Sequence, residues 1–240
     1  MNNRKTRKIK RKIKRKIKGS VGGALAEPKV LIVISSKSPN SILHECLDNL
    51  FKVQIKDKPN YKVCVVDSDS ESMDVYDKIK GDFPSVELHF IKNKNYEYGA
   101  WKFASEKYPD YDIYFCIQDS LIINKEVPLS IVDDTNAYIF FHESGYSWDP
   151  AAKNIGKRNL NRAQIKYNNI INSSFMLAQH SSFIVNNLVM KDIFKTLVSP
   201  PTNKGGSCSY ERVFGIFFIK KNIKTHDLHA YFTKHNKGRT

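Results

Sequence analysis

The chain has 240 residues, enough for one domain with a well-buried core, and its 41% hydrophobic and 12% aromatic content marks it as globular rather than disordered. The net charge of +15 is unevenly placed: eleven Lys or Arg and no acid fall in residues 1–18, leaving +4 for everything after them. No apolar stretch approaches the ~20 residues needed to span a bilayer, and no two of Cys46, Cys64, Cys116 and Cys208 have the C-x-x-C spacing of a zinc or thioredoxin-like site.

Residues 7–18 read RKIKRKIKRKIK, with Ile9, Ile13 and Ile17 four apart. A helix would gather these into one narrow stripe among cations that repel one another in water and that an anionic surface would neutralise. Residues 1–28 are therefore expected to be a basic, disordered arm and linker. It is either a solvated tail or a weak contact for an anionic membrane or polyanion. Without an aromatic residue to stack on bases, it is not expected to recognise a specific nucleic acid. Cys64 and Cys116 sit in apolar runs as small hydrophobes, which suits a reducing compartment. The VGGALA segment after the arm is too short for a signal core. The expected location is cytoplasmic, peripheral to a membrane if the arm docks there.

Val30–Ser35 is a β-branched run of the kind buried on both faces of a sheet. Pro39-Asn40-Ser41 opens a helix whose apolar positions run from Ile42 to Phe51. Tyr61–Val66 is a second buried strand, ending in Asp67-Ser-Asp-Ser-Glu-Ser. A short helix is expected over 72–80, capped by Ser70 or Ser72, and a strand over Val86–Ile91. A helix over Glu97–Lys107, a strand over Tyr111–Gln118 and another over Ala137–His142 follow. This alternation predicts βαβ units, hence an α/β fold with a mostly parallel sheet and helices on both faces in a single domain, 29–240. Residues 144–170, rich in Asn, Lys, Arg and Gly, read as a long loop. Asn187–Leu197 reads as a helix, 202–209 as a Gly/Ser loop, and Tyr210–Lys221 as a buried helix.

In parallel α/β sheets ligands bind at the carboxyl ends of the strands. Asp67, Asp69 and Asp119 all fall there, on two separate strands. Carboxylates in such places accept hydrogen bonds from a base or ribose, or offer a hard oxygen to a divalent cation beside a diphosphate; the same residues are also common in solvated turns. Gly99, near a helix start, would let a phosphate or sugar approach free N–H groups, or would simply allow Trp101 and Phe103 to pack. Glu97 could bind sugar or ribose hydroxyls.

In order and spacing, VCVVDSDSES, NKNYEYGAWKFA and IYFCIQDSLII resemble the motifs of GT-A-fold glycosyltransferases, especially family 2 and the rhamnan-synthesis type. The resemblance covers about residues 29–125 well and 126–240 loosely. It implies a donor-binding first half and an acceptor-side second half, with a sugar moved from a nucleotide diphosphate to a hydroxyl of a glycan or other acceptor, with inversion. By it Asp67 and Asp69 would hold the nucleoside. Glu97 and Gly99 would face the donor, and Asp119 would bind the diphosphate or a metal, manganese or magnesium. Tyr210-Glu211-Arg212 resembles the acid-containing pair beside the acceptor, making Glu211 the candidate general base. The first acid of the usual D-x-D is missing, since neither Ile117 nor Gln118 is an acid. His226 and His229, able to share a helix face, are candidates to complete the metal site, and cations from 153–166 are alternatives for neutralising the diphosphate. Two rivals remain at this level. A nucleotidyltransferase would need a Gly-rich loop after the first strand, where SSKSPNS has no glycine. The other is a non-catalytic protein acting through its arm.

Overall fold

A computed structural model describes residues 27–93, 95–143, 150–170 and 175–235; the arm over residues 1–26 and the segment 144–149 lie outside the described residues. The first part alternates as expected: β1 (Val30–Ser36), α1 (Ser41–Leu50), β2 (Tyr61–Asp67), α2 (Asp74–Asp82), β3 (Glu87–Phe90), α3 (Tyr96–Lys107) and β4 (Ile113–Gln118). Then come β5 (Leu121–Ile123), β6 (Asn136–Glu143), α4 (Pro150–Arg162), β7 (Met176–Asn186), α5 (Asn187–Thr196), α6 (Lys204–Lys220), β8 (Lys224–Asp227) and β9 (Phe232–Lys234).

Seven strands form one sheet in the order β3-β2-β1-β4-β7-β6-β8, and β5 and β9 form a two-stranded ribbon. β3, β2, β1 and β4 are mutually parallel, as are β6 and β8; β7 runs antiparallel to both its neighbours. Every residue of β1 is buried, which is what an uninterrupted β-branched strand in the middle of a doubly covered sheet requires. Its alternate residues feed two cores. Leu31 and Val33 face Tyr98 and Trp101 of α3, Leu160 of α4, Met190 of α5 and Phe214 of α6. Val30, Ile32 and Ile34 face Leu43 and Leu47 of α1, Tyr76 and Ile79 of α2, and the β5–β9 ribbon through Leu121 and Phe232. The helices thus lie on both faces of one mixed, mostly parallel sheet.

Several local expectations need correction. The 144–170 stretch is not all loop, because Pro150–Arg162 is helical. Its buried stripe is Ala152, Gly156, Asn159 and Leu160, at helical spacing but made largely of small and polar residues, so it gives no apolar periodicity. Residues 204–209 belong to α6. Asn203 caps that helix by accepting from the Gly206 N–H at 2.8 Å, and a Cβ on Gly206 would meet the Pro201 Cβ at 3.2 Å. The glycines and serines of this turn allow close packing, and tertiary contact outweighs their weak helix propensity. Neither serine caps α2: its N-cap is Met73, and the Ser72 hydroxyl only accepts from Asp74 N at 3.3 Å. β7, β8 and the β5–β9 ribbon were not foreseen at all.

Candidate active site

The parallel register sets Ser36 of β1 opposite Asp67 of β2, and Ser35 opposite Gln118 of β4. The chain therefore brings Asp67, Ser36 and Asp119 to one row at the carboxyl end of the sheet. Asp119 is 4% exposed. Its backbone N–H donates to Ser35 O at 3.1 Å, and the Ser36 hydroxyl donates to its Oδ2 at 2.8 Å. Asp67, also buried, accepts from the Ser70 N–H at 2.8 Å, from the Ser70 hydroxyl, and from the Tyr76 hydroxyl at 2.5 Å. Burial, then the bond to Asp67, pushes the Tyr76 phenol well above its ordinary value and keeps it a donor.

A cleft of about 340 Å³ opens over this row. Its floor is Gln118, Asp119 and Ser120. One wall is Pro39 and Asn40 at the start of α1, and the other is His180 of β7 with Lys204 and Glu211 of α6. Lys234 and His235 close it from the end of β9. The Lys234 ammonium donates to Gln118 Oε1 at 2.8 Å and to the Ser120 hydroxyl, and His235 N–H donates to Ser120 O at 3.0 Å. A fixed cation thus stands beside the buried Asp119.

Glu211 reaches the cleft through a distortion of β7. Between Ile139 and Phe141 the β6–β7 register jumps from Phe183 to Ala178, leaving extra residues on β7. Within this bulge His180 and Ser181 have φ of 60° and 51°, a left-handed conformation unfavourable for residues with a Cβ. Two bonds hold it. The Trp101 indole N–H donates to Ser181 O at 3.0 Å, and the His180 N–H donates to Glu211 Oε1 at 2.9 Å. Burial raises the Glu211 carboxyl above its ordinary value; the His180 N–H and the Arg212 guanidinium, 3.7 Å away, oppose the shift, while Glu97 adds to it.

The other predicted site residues stand elsewhere. Glu97, 8% exposed, does not line the cleft: it accepts from Gln118 Nε2 at 2.6 Å and from the Ser207 hydroxyl at 2.9 Å, tying β4 to α6. Gly99 offers no free N–H, because that group donates to Asn95 O at 3.0 Å, and a Cβ there would meet Asn93 Oδ1 at 2.7 Å. Its smallness serves packing. Asp67, the last residue of β2, and the half-buried Asp69 in the bend after it are absent from the cleft lining. His226 and His229 share no helix face. His226 is on β8 within 3.2 Å of Asn136 Oδ1, and His229 is in the following turn, 2.8 Å from Asp227 Oδ1. Neither lines the cleft with Asp119. Among the described residues no three His, Cys, Asp or Glu side chains gather as a cation site. The donor set fits a hard cation held jointly by Asp119 and a substrate diphosphate, not one held by protein alone. The cations of 153–166 are also displaced from their expected role: Arg158 and Arg162 line a separate cavity. Lys234, His180, Lys204 and Ser36 gave no sequence signal, since each reaches the site by a long-range pairing.

No protein-family model matches the sequence, and no curated protein matches it. Among solved structures the chain is similar to TarS 1–349 of S. aureus (14% identity, 85% of this chain and 59% of that one, TM-score 0.48). It is also similar to the mannosyltransferase PcManGT of Pyrobaculum calidifontis (13%, 90% and 60%, TM-score 0.47) and to GalNAc-T7 (13%, 87% and 49%, TM-score 0.50). The chain spans less than two thirds of the length of each. At these identities the likeness is one of fold alone, and with the mostly parallel sheet covered by helices on both faces it gives the chain the α/β fold of the GT-A type.

Proposed function

We propose that the protein transfers a sugar from a nucleotide diphosphate to a hydroxyl of a glycan or other acceptor. The observation that carries this reading is the single cleft in which β4 places Asp119, α6 places Glu211 and β9 places Lys234. The fold shared with GalNAc-T7, whose structure holds UDP, GalNAc and Mn2+, supports it.

In this reading the donor diphosphate lies at the carboxyl edge of the sheet above Asp119. A divalent cation, held by Asp119 and the diphosphate, would supply positive charge to the leaving group. Lys234 and Lys204 supply fixed positive charge from the protein, which stabilises the departing diphosphate because it needs no reorganisation during the reaction. The acceptor oxygen attacks the anomeric carbon and the bond from that carbon to the diphosphate oxygen breaks. The acceptor proton passes to the Glu211 carboxylate, whose Oε1 is already oriented by His180 N–H. Direct displacement by the acceptor inverts the anomeric centre. The raised affinity of Glu211 for a proton suits a base, since it makes the carboxylate a better acceptor at neutral pH. The eleven cations of residues 1–18 would add a weak contact with an anionic membrane or polyanion at a cytoplasmic site of action.

The test is thermal unfolding of the full chain with a panel of nucleoside diphosphates, with and without Mn2+ or Mg2+. A ligand bound only to the folded state raises the melting temperature by mass action. The expected result is a shift for one nucleotide, larger with metal and lost in Asp119→Ala. No shift with any nucleotide, or the same shift in Asp119→Ala, would overturn the reading.

A further inference from the structure

A second cavity, about 390 Å³, lies between α4 and the 199–203 link into α6. Arg158, Asn159 and Arg162 come to it from α4. Ser199, Pro201 and Thr202 face them. No acidic residue lines it. Arg158 and Arg162 are four apart and so stand on one side of the helix, one above the other. Arg162 Nη1 donates to the Ser199 hydroxyl at 3.3 Å. Arg158 makes no hydrogen bond or ion pair among the described residues. Between them Asn159, 8% exposed, also lines the cavity. A cavity lined by two guanidinium groups and an amide, with no acidic residue in its lining, is shaped for an anionic ligand.

The ligand chemistry follows from the donors. Guanidinium forks pair with the two oxygens of a carboxylate or phosphate, and an amide N–H adds a third donor. The cavity is joined to the cleft by the first turn of α6: Lys204 lines the cleft and Gly206 lines the cavity. We propose that this cavity is a subsite for an oxyanion, a carboxylate or phosphate group carried by the acceptor, so that the protein glycosylates an acidic acceptor. The word acceptor rests on the glycosyl-transfer reading; oxyanion binding does not.

The experiment is calorimetric titration of the full chain with inorganic phosphate, with glucuronate and with neutral glucose. Because the basic arm also attracts anions, the comparison is with R158Q/R162Q in the same full chain; both side chains are exposed and the substitutions leave the core untouched. The expected result is saturable binding of phosphate or glucuronate but not glucose, weakened about tenfold or more in R158Q/R162Q and unchanged in D119N. Tighter binding of glucuronate would name a carboxylated acceptor, and tighter binding of phosphate a phosphorylated one. Equal binding by wild type and R158Q/R162Q, or none by wild type, would overturn the subsite. Loss in R158Q/R162Q of the thermal stabilisation that the nucleoside diphosphate panel gives the wild type would assign the arginines to the donor and overturn the acceptor proposal. Intact arginine-dependent binding without nucleotide recognition would leave the oxyanion subsite standing while the transferase reading fell.

Discussion

From Val30 to Gln118 the sheet grows by parallel strands with a helix after each of β1, β2 and β3, and its carboxyl edge carries the row Asp67, Ser36 and Asp119. From Asn136 onward it grows by the antiparallel pairings of β7 with β4 and β6, and the site residues arrive from a bulge, a helix turn and a ribbon. In the first region a strand end is enough to place a carboxylate. In the second, Glu211 is placed only because the β7 backbone bends to meet it and α6 packs hard on β7. Under the proposed function the first region would offer a binding edge and the second would complete it with proton-accepting and cationic groups, which predicts separable effects of substitution.

The largest effect is expected from Glu211→Gln, which keeps the shape but removes the base. Turnover should fall about 100- to 10,000-fold with nucleotide binding retained. A base acts when deprotonated, and Glu211 holds its proton to a higher pH than an ordinary glutamate. Activity of the wild type should therefore rise with pH through an apparent pKa above 4.5, and a pH–rate profile of the variant should lack that limb. Asp119→Asn should cost about 100- to 1,000-fold in turnover and, unlike Glu211→Gln, should also weaken the nucleotide-dependent thermal shift. Equal loss of nucleotide binding in both variants would erase the distinction between the regions.

Stability probes sharpen the same contrast. A Cβ on Gly215 of α6 would lie 2.4 Å from Met176 O and 2.9 Å from Leu177 Cα, backbone atoms that cannot step aside cheaply. Gly215→Ala should destabilise by about 1–3 kcal/mol in denaturant unfolding, and should also lower turnover by moving Glu211 relative to β7. Gly81 in α2 has nothing within 4 Å of the same position. Gly81→Ala should stabilise by about 0.5–1 kcal/mol and leave turnover unchanged.

The sequence by itself determined the doubly covered sheet, the order of its first four strands along the chain, and the acids at their carboxyl ends. Uninterrupted β-branched runs alternating with helical periods leave few other ways to bury the apolar surface. It also pointed to Glu211, through a short pattern rather than through any visible neighbour. What only the tertiary structure decided is which of these groups meet. Glu97 became a brace because Gln118 and Ser207 reach it first, and Gly99 became a packing contact because Asn93 fills the space above it. His226 and His229 went to β8 and its turn, while Lys234, 114 residues beyond Ser120 along the chain, came to the cleft through the β5–β9 pairing. Helix α4 was hidden because its buried stripe is small and polar, a pattern that signals nothing until α6 is there to pack against it. Periodicity reports the face an element buries; hydrogen-bond partners between distant segments depend on register and packing, which no local pattern encodes.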